Sequence, residues 1–429
     1  MSASRLVLLS KKLIKPSSPT PLSHRIHNLS LMDQMGTHSY MAAMLFYPKQ
    51  DTTTSMPEPT KISQILEKSL SKVLTSYYPF AGHVKDNSFV ECNDMGADLS
   101  QVRIDCPMSS IFDQPRTYID NLVLPIDPWF PSTDSLVATQ LCHFECGGIA
   151  LGACLSHKVS DGYTMSRFLR DWAMVARDTE AKPSPLFNGA SIFKPSNSSS
   201  FQVVKDPPLN KNVSKRYHFS ASKLKALKSM IDSADSTSQI RPTTVETITA
   251  FLSKCVNTPT FTPSLLVQAV NLRGTSNDAL VPADLTGNAA LPFVVSATNK
   301  EEMNLQRLVI ELRKGKEKIQ DMLKYIESEE LLCSKVSEIA REMNERTSNN
   351  DVSIYRFTSL RKFPVNDMNF GWGRPRKVDV ATYPINMFVL MDNQNGDGLE
   401  VIVNLDEGKM SAFERNDELL QFASPCSGL

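Results

Sequence analysis

The sequence predicts an α/β protein built as two consecutive units of mixed sheet and helix, and three observations carry this expectation. Strand-like and helix-like hydrophobic patterns occur together in both halves of the chain rather than segregating. At 429 residues the chain is long for one hydrophobic core and suits two units of roughly two hundred residues each. From about Lys182 to Pro208 the composition turns to Pro, Ser and Asn, including Pro195-Ser196-Asn197-Ser198-Ser199-Ser200, as in a linker. The expected division is a first unit at residues 1–190, a linker at 191–212 and a second unit at 213–429.

The elements follow in order. Leu6-Val7-Leu8-Leu9 reads as a first strand; Ser10-Lys11-Lys12 ends the apolar run too early for a secretory leader. Ile62, Ile65, Leu66, Leu70, Val73 and Leu74 recur at helical spacing, so a helix is expected over Thr60–Tyr78, capped by Thr60 after Pro59. Phe89–Cys92 and Ser100–Ile104 read as short strands. Leu136–Phe144 and Ile149–Leu155 read as two strands joined by a hairpin at Gly147-Gly148. A helix over Tyr163–Ala176 would bury Met165, Phe168, Leu169 and Trp172. In the second half, a strand is expected at Lys215–Phe219 and a helix at Ser222–Ile231. Thr243-x-x-Glu246 has the spacing of a capping box opening a helix to about Cys255. Glu301–Met343 reads as strongly helical, with Leu305, Leu308, Leu312, Ile319, Met322 and Ile326 on one side. Ala381–Met391 and Leu399–Leu405 read as late strands.

Composition excludes several classes. The 46 basic and 46 acidic residues cancel, and with no dominant basic patch nucleic acid is not an expected partner. No apolar run is long enough to span a bilayer. The eight cysteines are scattered, Cys142 and Cys146 do not make a Cys-x-x-Cys pair, and no second cluster offers metal ligands. Free thiols in a reducing cytoplasm are the expected state.

Chemistry concentrates in two segments. Leu155-Ser156-His157-Lys158-Val159-Ser160-Asp161-Gly162 directly follows the apolar run Ile149–Cys154. A buried strand that delivers a His, then an Asp four residues on, then a Gly that lets the chain turn, can build a base. Imidazole, with an unperturbed pKa of about 6.5, suits proton transfer near neutral pH. Taken alone, a strand-end His is more often structural. Ser156 and Ser160 flank His157, but sequence neighbours do not make a nucleophile–base pair. The second segment, Asn369-Phe370-Gly371-Trp372-Gly373-Arg374-Pro375, is too rich in glycine and aromatics for a regular helix; its plain reading is a tight aromatic-packed loop.

Together the two segments resemble the plant BAHD acyl-CoA-dependent acyltransferases, which carry His-x-x-x-Asp-Gly near mid-chain and Asp-Phe-Gly-Trp-Gly near the C-terminal end. The resemblance extends along the chain in the family's order. It includes Ile14-Lys15-Pro16, Tyr78-Pro79-Phe80-Ala81-Gly82-His83, His143–Gly148, Gln268-Ala269-Val270-Asn271-Leu272-Arg273 and Gly287-Asn288. Cys92–Gly96 and Lys409–Glu414 resemble the alkaloid-acylating branch.

The resemblance implies two chloramphenicol-acetyltransferase-like domains with mixed sheets and a tunnel between them, and a monomer. It implies acyl-CoA as co-substrate, a small alkaloid acceptor, and no bound cofactor, metal or membrane. His157 would be the general base, with Asp161 completing the catalytic motif by pairing with Arg273 rather than by relaying charge. Arg273, Asn369, Gly371, Trp372 and Gly373 would be structural supports. Gly162, Asn288, Thr358, Leu360 and Phe370 would line the acyl-CoA or acceptor pocket. Acetyl-CoA and an alkaloid hydroxyl are the expected substrates. A malonyl donor is the alternative; its carboxylate would need a cation, for which Arg356, Arg361 and Arg415 are candidates, each otherwise a solvated surface charge. A non-catalytic alkaloid-binding relative and a thioesterase-like hydrolase are further alternatives. Two positions depart from the family pattern: Asn369 replaces its Asp, and Leu360 stands where the upstream segment usually carries Trp, with an enlarged pocket as one expected consequence.

Overall fold

The computed structural model describes residues 5–49, 56–196, 211–233, 240–257, 261–274, 280–348, 351–394 and 396–426. Most of the expected linker, 197–210, lies outside the described residues.

Two large sheets organise the chain. The first has six strands in the order Leu6–Ile14, Ala97–Ile104, Val137–Phe144, Ile149–Ser156, Tyr40–Tyr47 and Lys377–Val380. At its centre is the expected hairpin, in register from Val137 opposite Leu155 to His143 opposite Ile149. Gly147 takes φ +79° in the turn, a conformation that costs glycine little. Every residue of Ile149–Ser156 is buried, because both faces of the strand are covered. Leu151, Ala153 and Leu155 meet the core beneath helices Pro59–Ser76 and Gly162–Arg177. Ala150 and Cys154 meet the core beneath helix Arg116–Val123. A strand covered on both faces reads as a continuous apolar run, not an alternating one.

The second sheet has seven strands, in the order Ala290–Ala297, Ser264–Asn271, Ser353–Ser359, Met387–Asp392, Gly398–Asp406, Asn212–Ser220 and Ser424–Pro425. Helices Thr244–Val256, Leu305–Asp321 and Glu329–Thr347 share its core. The capping box forms as expected: the Glu246 amide donates to Thr243 Oγ1 at 3.3 Å and the Thr243 amide to Glu246 Oε2 at 2.8 Å.

One expectation is refined and one is corrected. Glu301–Met343 is not one helix: the α-helices Leu305–Asp321 and Glu329–Thr347 are separated by a 3₁₀ turn at Met322–Tyr325. The buried residues of the second helix, Leu332, Val336, Ile339, Ala340 and Met343, fall out of phase with Leu308, Leu312 and Ile319. A straight helix could not turn both sets inward. Nor is Ala381–Met391 one strand. Lys377–Val380 pairs with Tyr40–Tyr47 in the first sheet, whereas Met387–Asp392 lies in the second. Pro384, with no N–H to donate, sits in the crossing segment. Residues 377–380, beyond the expected boundary at 213, therefore belong to the first sheet.

That crossing strand carries a charged lock. Asp379, 1% exposed, pairs with Arg116 of the first half and Arg216 of the second, and Arg216 also pairs with Glu400. Burial alone would raise the Asp379 carboxyl, but Arg116, Arg216 and Lys377 hold it down to about 2. Because the folded value lies below the unfolded one of about 3.9, its stabilisation is present above pH 4 and is lost as pH falls through 2. Asp379→Asn, which leaves two buried guanidinium groups under-paired, is expected to cost about 3–5 kcal/mol in urea unfolding at pH 7. The wild-type advantage should shrink progressively below pH 4.

Candidate active site

His157 is the first residue past strand Ile149–Ser156 and lies where the halves meet. Its amide donates to Ser39 O at 3.0 Å. A Cβ placed on Gly36 would come within 2.4 Å of the His157 carbonyl oxygen, so only glycine lets that loop close over the backbone here. The imidazole is half-buried, and its Nδ1 lies 3.1 Å from Asn288 Oδ1.

Asn288 is not simply a pocket-lining residue, as the sequence reading had it. Its Nδ2 donates to the His157 carbonyl at 2.8 Å and to Asp33 Oδ1 at 2.9 Å, and its own amide donates to the same Asp33 oxygen at 2.8 Å. Two acceptors facing Nδ2 fix which way the side-chain amide points. Oδ1 then faces the ring as an acceptor for Nδ1–H, the arrangement that suits the tautomer with Nε2 bare. Asp33 is held by the capping box of the short helix Leu31–Gln34, its Oδ2 accepting from the Ser30 amide at 3.0 Å and its amide donating to Ser30 Oγ at 3.1 Å, and the Ser30 hydroxyl donates to the same Oδ2 at 2.6 Å. The sequence reading did not identify Asp33. Ser30-x-x-Asp33 has readable capping spacing, but its partner lies 255 residues away.

Asp161 turns away from the ring, as expected. It caps helix Gly162–Arg177 by accepting from the Thr164 amide at 2.9 Å. Arg273 grips both carboxylate oxygens, at 2.7 and 3.2 Å, and the Ala289 amide adds a bond at 3.0 Å. Arg273 also donates to the carbonyls of Leu285 and Gly287, both at 2.7 Å, and lies over the Tyr163 ring at 4.7 Å. Burial would raise the Asp161 carboxyl, yet the Arg273 charge and these donors hold it below the ordinary carboxylate value. Removing one partner of such a buried pair typically costs about 3–5 kcal/mol.

The Asn369–Gly373 loop supports the site without approaching His157 through any recorded contact. Asn369 Oδ1 accepts from the amides of Gly371 and Gly373 at 2.9 and 3.0 Å, and both glycines adopt positive φ, +116° and +101°. Phe370 and Trp372 stack at 5.6 Å inside the first half's core. Tyr47 donates its hydroxyl to Met368 O at 2.7 Å. Phe370, expected in the pocket, is thus a core residue: it is 1% exposed and packs edge-on against Trp172.

The strand Ser353–Ser359 divides its side chains between two faces of the second sheet. Tyr355 and Phe357 point into the helix-covered core, which leaves Ile354, Arg356 and Thr358 half-buried on the opposite face. Leu360 continues that face and is 5% exposed. A Cβ on Gly162, the first residue of the helix after the His157 motif, would meet Leu360 Cδ2 at 2.8 Å. Leu360 therefore packs against the start of that helix. Gly162 and Thr358 remain half-buried beside it.

Because the loop uses only the side-chain oxygen of Asn369, Asn369→Asp is expected to change stability by less than about 0.5 kcal/mol. Asn369→Ala, which leaves two amides without that acceptor, should cost about 1–3 kcal/mol in denaturant unfolding.

The chain is similar to known proteins in sequence and in fold. The model of the Transferase family matches residues 5–420. The chain is 39% identical over 433 residues to acylsugar acyltransferase 3 of Solanum lycopersicum, covering 97% of each. It is 38% identical over 445 residues to deacetylvindoline O-acetyltransferase of Catharanthus roseus, again covering 97% of each. It is 37% identical over 437 residues to 17,18-epoxy-17-hydroxycur-19-ene N-malonyltransferase of Strychnos nux-vomica, covering 99% of this chain and 92% of that one. The crystal structure of vinorine synthase superposes with a TM-score of 0.78 at 28% identity, covering 98% of this chain and 99% of that one. A two-sheet α/β fold of the vinorine synthase type and a family match over nearly the whole length place this enzyme in the BAHD family of acyl-CoA-dependent acyltransferases.

Proposed function

We propose that the protein transfers an acetyl group from acetyl-CoA to a hydroxyl of an indole alkaloid, with His157 as general base. The observation that carries this reading is the orientation of His157 by Asn288, which leaves the basic Nε2 free at the junction of the halves. Nε2 takes the proton of the acceptor hydroxyl as its oxygen attacks the thioester carbonyl. The tetrahedral oxyanion collapses with cleavage of the C–S bond, and the imidazolium returns the proton to the departing thiolate. Atoms and charge balance without an acyl-enzyme. Positioned base catalysis supplies typically 10²–10⁴ in rate, and holding two substrates together supplies much of the remainder. The substrates follow the relatives whose names specify an acetyl group and an alkaloid acceptor. A malonyl donor is the second reading, favoured by the situation of Arg356 described below and by the N-malonyltransferase relative.

Asp161 has a positioning role here, since its oxygens are taken by Arg273, Thr164 and Ala289. The same reading places the enzyme in the cytoplasm as a monomer; the free state of its eight cysteines, four of them buried, supports a reducing compartment. An intact His157–Asn288–Asp33 chain of hydrogen bonds speaks for catalysis over mere binding.

The test is mass spectrometry of the purified protein with hydroxylated indole alkaloids and acetyl-CoA or malonyl-CoA. A gain of one acyl group on the acceptor is expected, with His157→Ala lowering its rate by at least 10²–10⁴-fold while leaving the fold intact. Acyl-CoA consumption without acceptor would instead favour hydrolysis. Equal turnover by His157→Ala would remove His157 from the chemistry.

A further inference from the structure

Arg356 differs from the other buried arginines. Arg273 is held by Asp161 and backbone carbonyls, Arg216 by Asp379 and Glu400, and Arg116 by Asp379. The Arg356 guanidinium makes no ion pair or hydrogen bond among the described residues, and burial with no opposing charge lowers its pKa to about 10. It is therefore still a cation at neutral pH. Of the other arginines weighed as carboxylate partners, Arg361 pairs with Asp392 and Arg415 donates to Ser411 on the surface. Of these three, Arg356 is the one buried without an opposing charge among the described residues.

Its place in the sheet says where that cation points. Arg356 lies on an inner strand, opposite Val267 on one side and Met387 on the other. Because Tyr355 and Phe357 enter the helix-covered core, Arg356 projects from the other face, between Ile354 and Thr358. This is the wall that continues to Leu360 and Gly162 beside the His157 motif. Four residues separate Arg356 from Leu360, about 13 Å at 3.3 Å per residue, so the cation lies along the same face as the residue that meets the start of the helix after the His157 motif. A half-buried apolar wall that keeps an unpaired guanidinium carries a desolvation cost that an incoming anion offsets.

We propose that Arg356 is a specificity residue that clamps a free carboxylate carried by one of the two substrates. This inference rests on the acyl-transfer reading for the identity of those substrates. The carboxylate belongs either to a dicarboxylic acyl donor of the malonyl type or to an acidic acceptor; the planar guanidinium fork suits both.

Titration calorimetry on the full chain separates the sources without requiring turnover. The donor arm compares malonyl-CoA with acetyl-CoA, and the acceptor arm compares indole-3-lactate with tryptophol, a pair that differs by one carboxylate. Each arm is run on wild type, Arg356→Leu and Arg356→Lys, with folding checked by circular dichroism. Wild type should bind the carboxylated member of one pair roughly 10- to 100-fold more tightly, the range of a charge-assisted bidentate contact. Arg356→Leu should abolish that preference and Arg356→Lys should retain part of it. The arm showing the preference names the substrate that carries the carboxylate. No preference by wild type in either arm, or a preference that survives Arg356→Leu, overturns the proposal. Failure of acyl transfer itself would appear separately, as absence of a mass gain with every donor.

Discussion

The ion pair between Asp161 and Arg273 is the constraint on which the rest of the site depends. One carboxylate ends the His157 segment, caps the following helix and receives a guanidinium from the other half of the chain. Its second oxygen also accepts from the Ala289 amide, next to Asn288, whose side chain orients the imidazole. A single buried charge pair thus sets helix direction, strand position and base geometry together. Such a pair contributes little net stability against its desolvation, but it is intolerant of losing one member. Here that intolerance fixes geometry at a junction where apolar packing alone would permit sliding.

The site is divided between halves in a way that separates chemistry from support. The first half supplies His157, Asp33 and the glycine that closes over the His157 backbone. The second supplies Asn288 and Arg273, and lends Lys377–Val380 to the first sheet. The Asn369–Gly373 loop anchors that exchange by burying Phe370 and Trp372 in the first half's core. The Asp379 lock secures the same crossing strand on its other side.

Much of the local structure was legible in the sequence because it depends on local rules. The hairpin leading to His157, the capping box at Thr243 and the helix opening after Asp161 follow from hydrophobic period, turn glycines and short polar caps. The Asp161–Arg273 pair followed from the family resemblance. What was not legible depends on contacts between distant residues. Asn288 was expected to line a pocket because nothing near it indicates that it touches both His157 and Asp33. Phe370 looked like a pocket aromatic, since burial against Trp172 is decided some two hundred residues upstream. The strand switch at Pro384 and the phase break after Tyr325 are visible as a missing donor and a shifted apolar stripe, but only once the surrounding sheet and core are known. Arg356 read as a surface cation because its strand's two faces could not be assigned.

The central claim is that Asn288, rather than Asp161, fixes the protonation of His157. Nitrogen-15 NMR of the His157 ring in the free enzyme tests it most directly, with the resonance assigned by its loss in His157→Gln. The geometry predicts a tautomer protonated at Nδ1 with Nε2 bare, and a shift toward a mixture of tautomers in Asn288→Ala. A ring protonated at Nε2, or one whose tautomer is unchanged in Asn288→Ala, would contradict it.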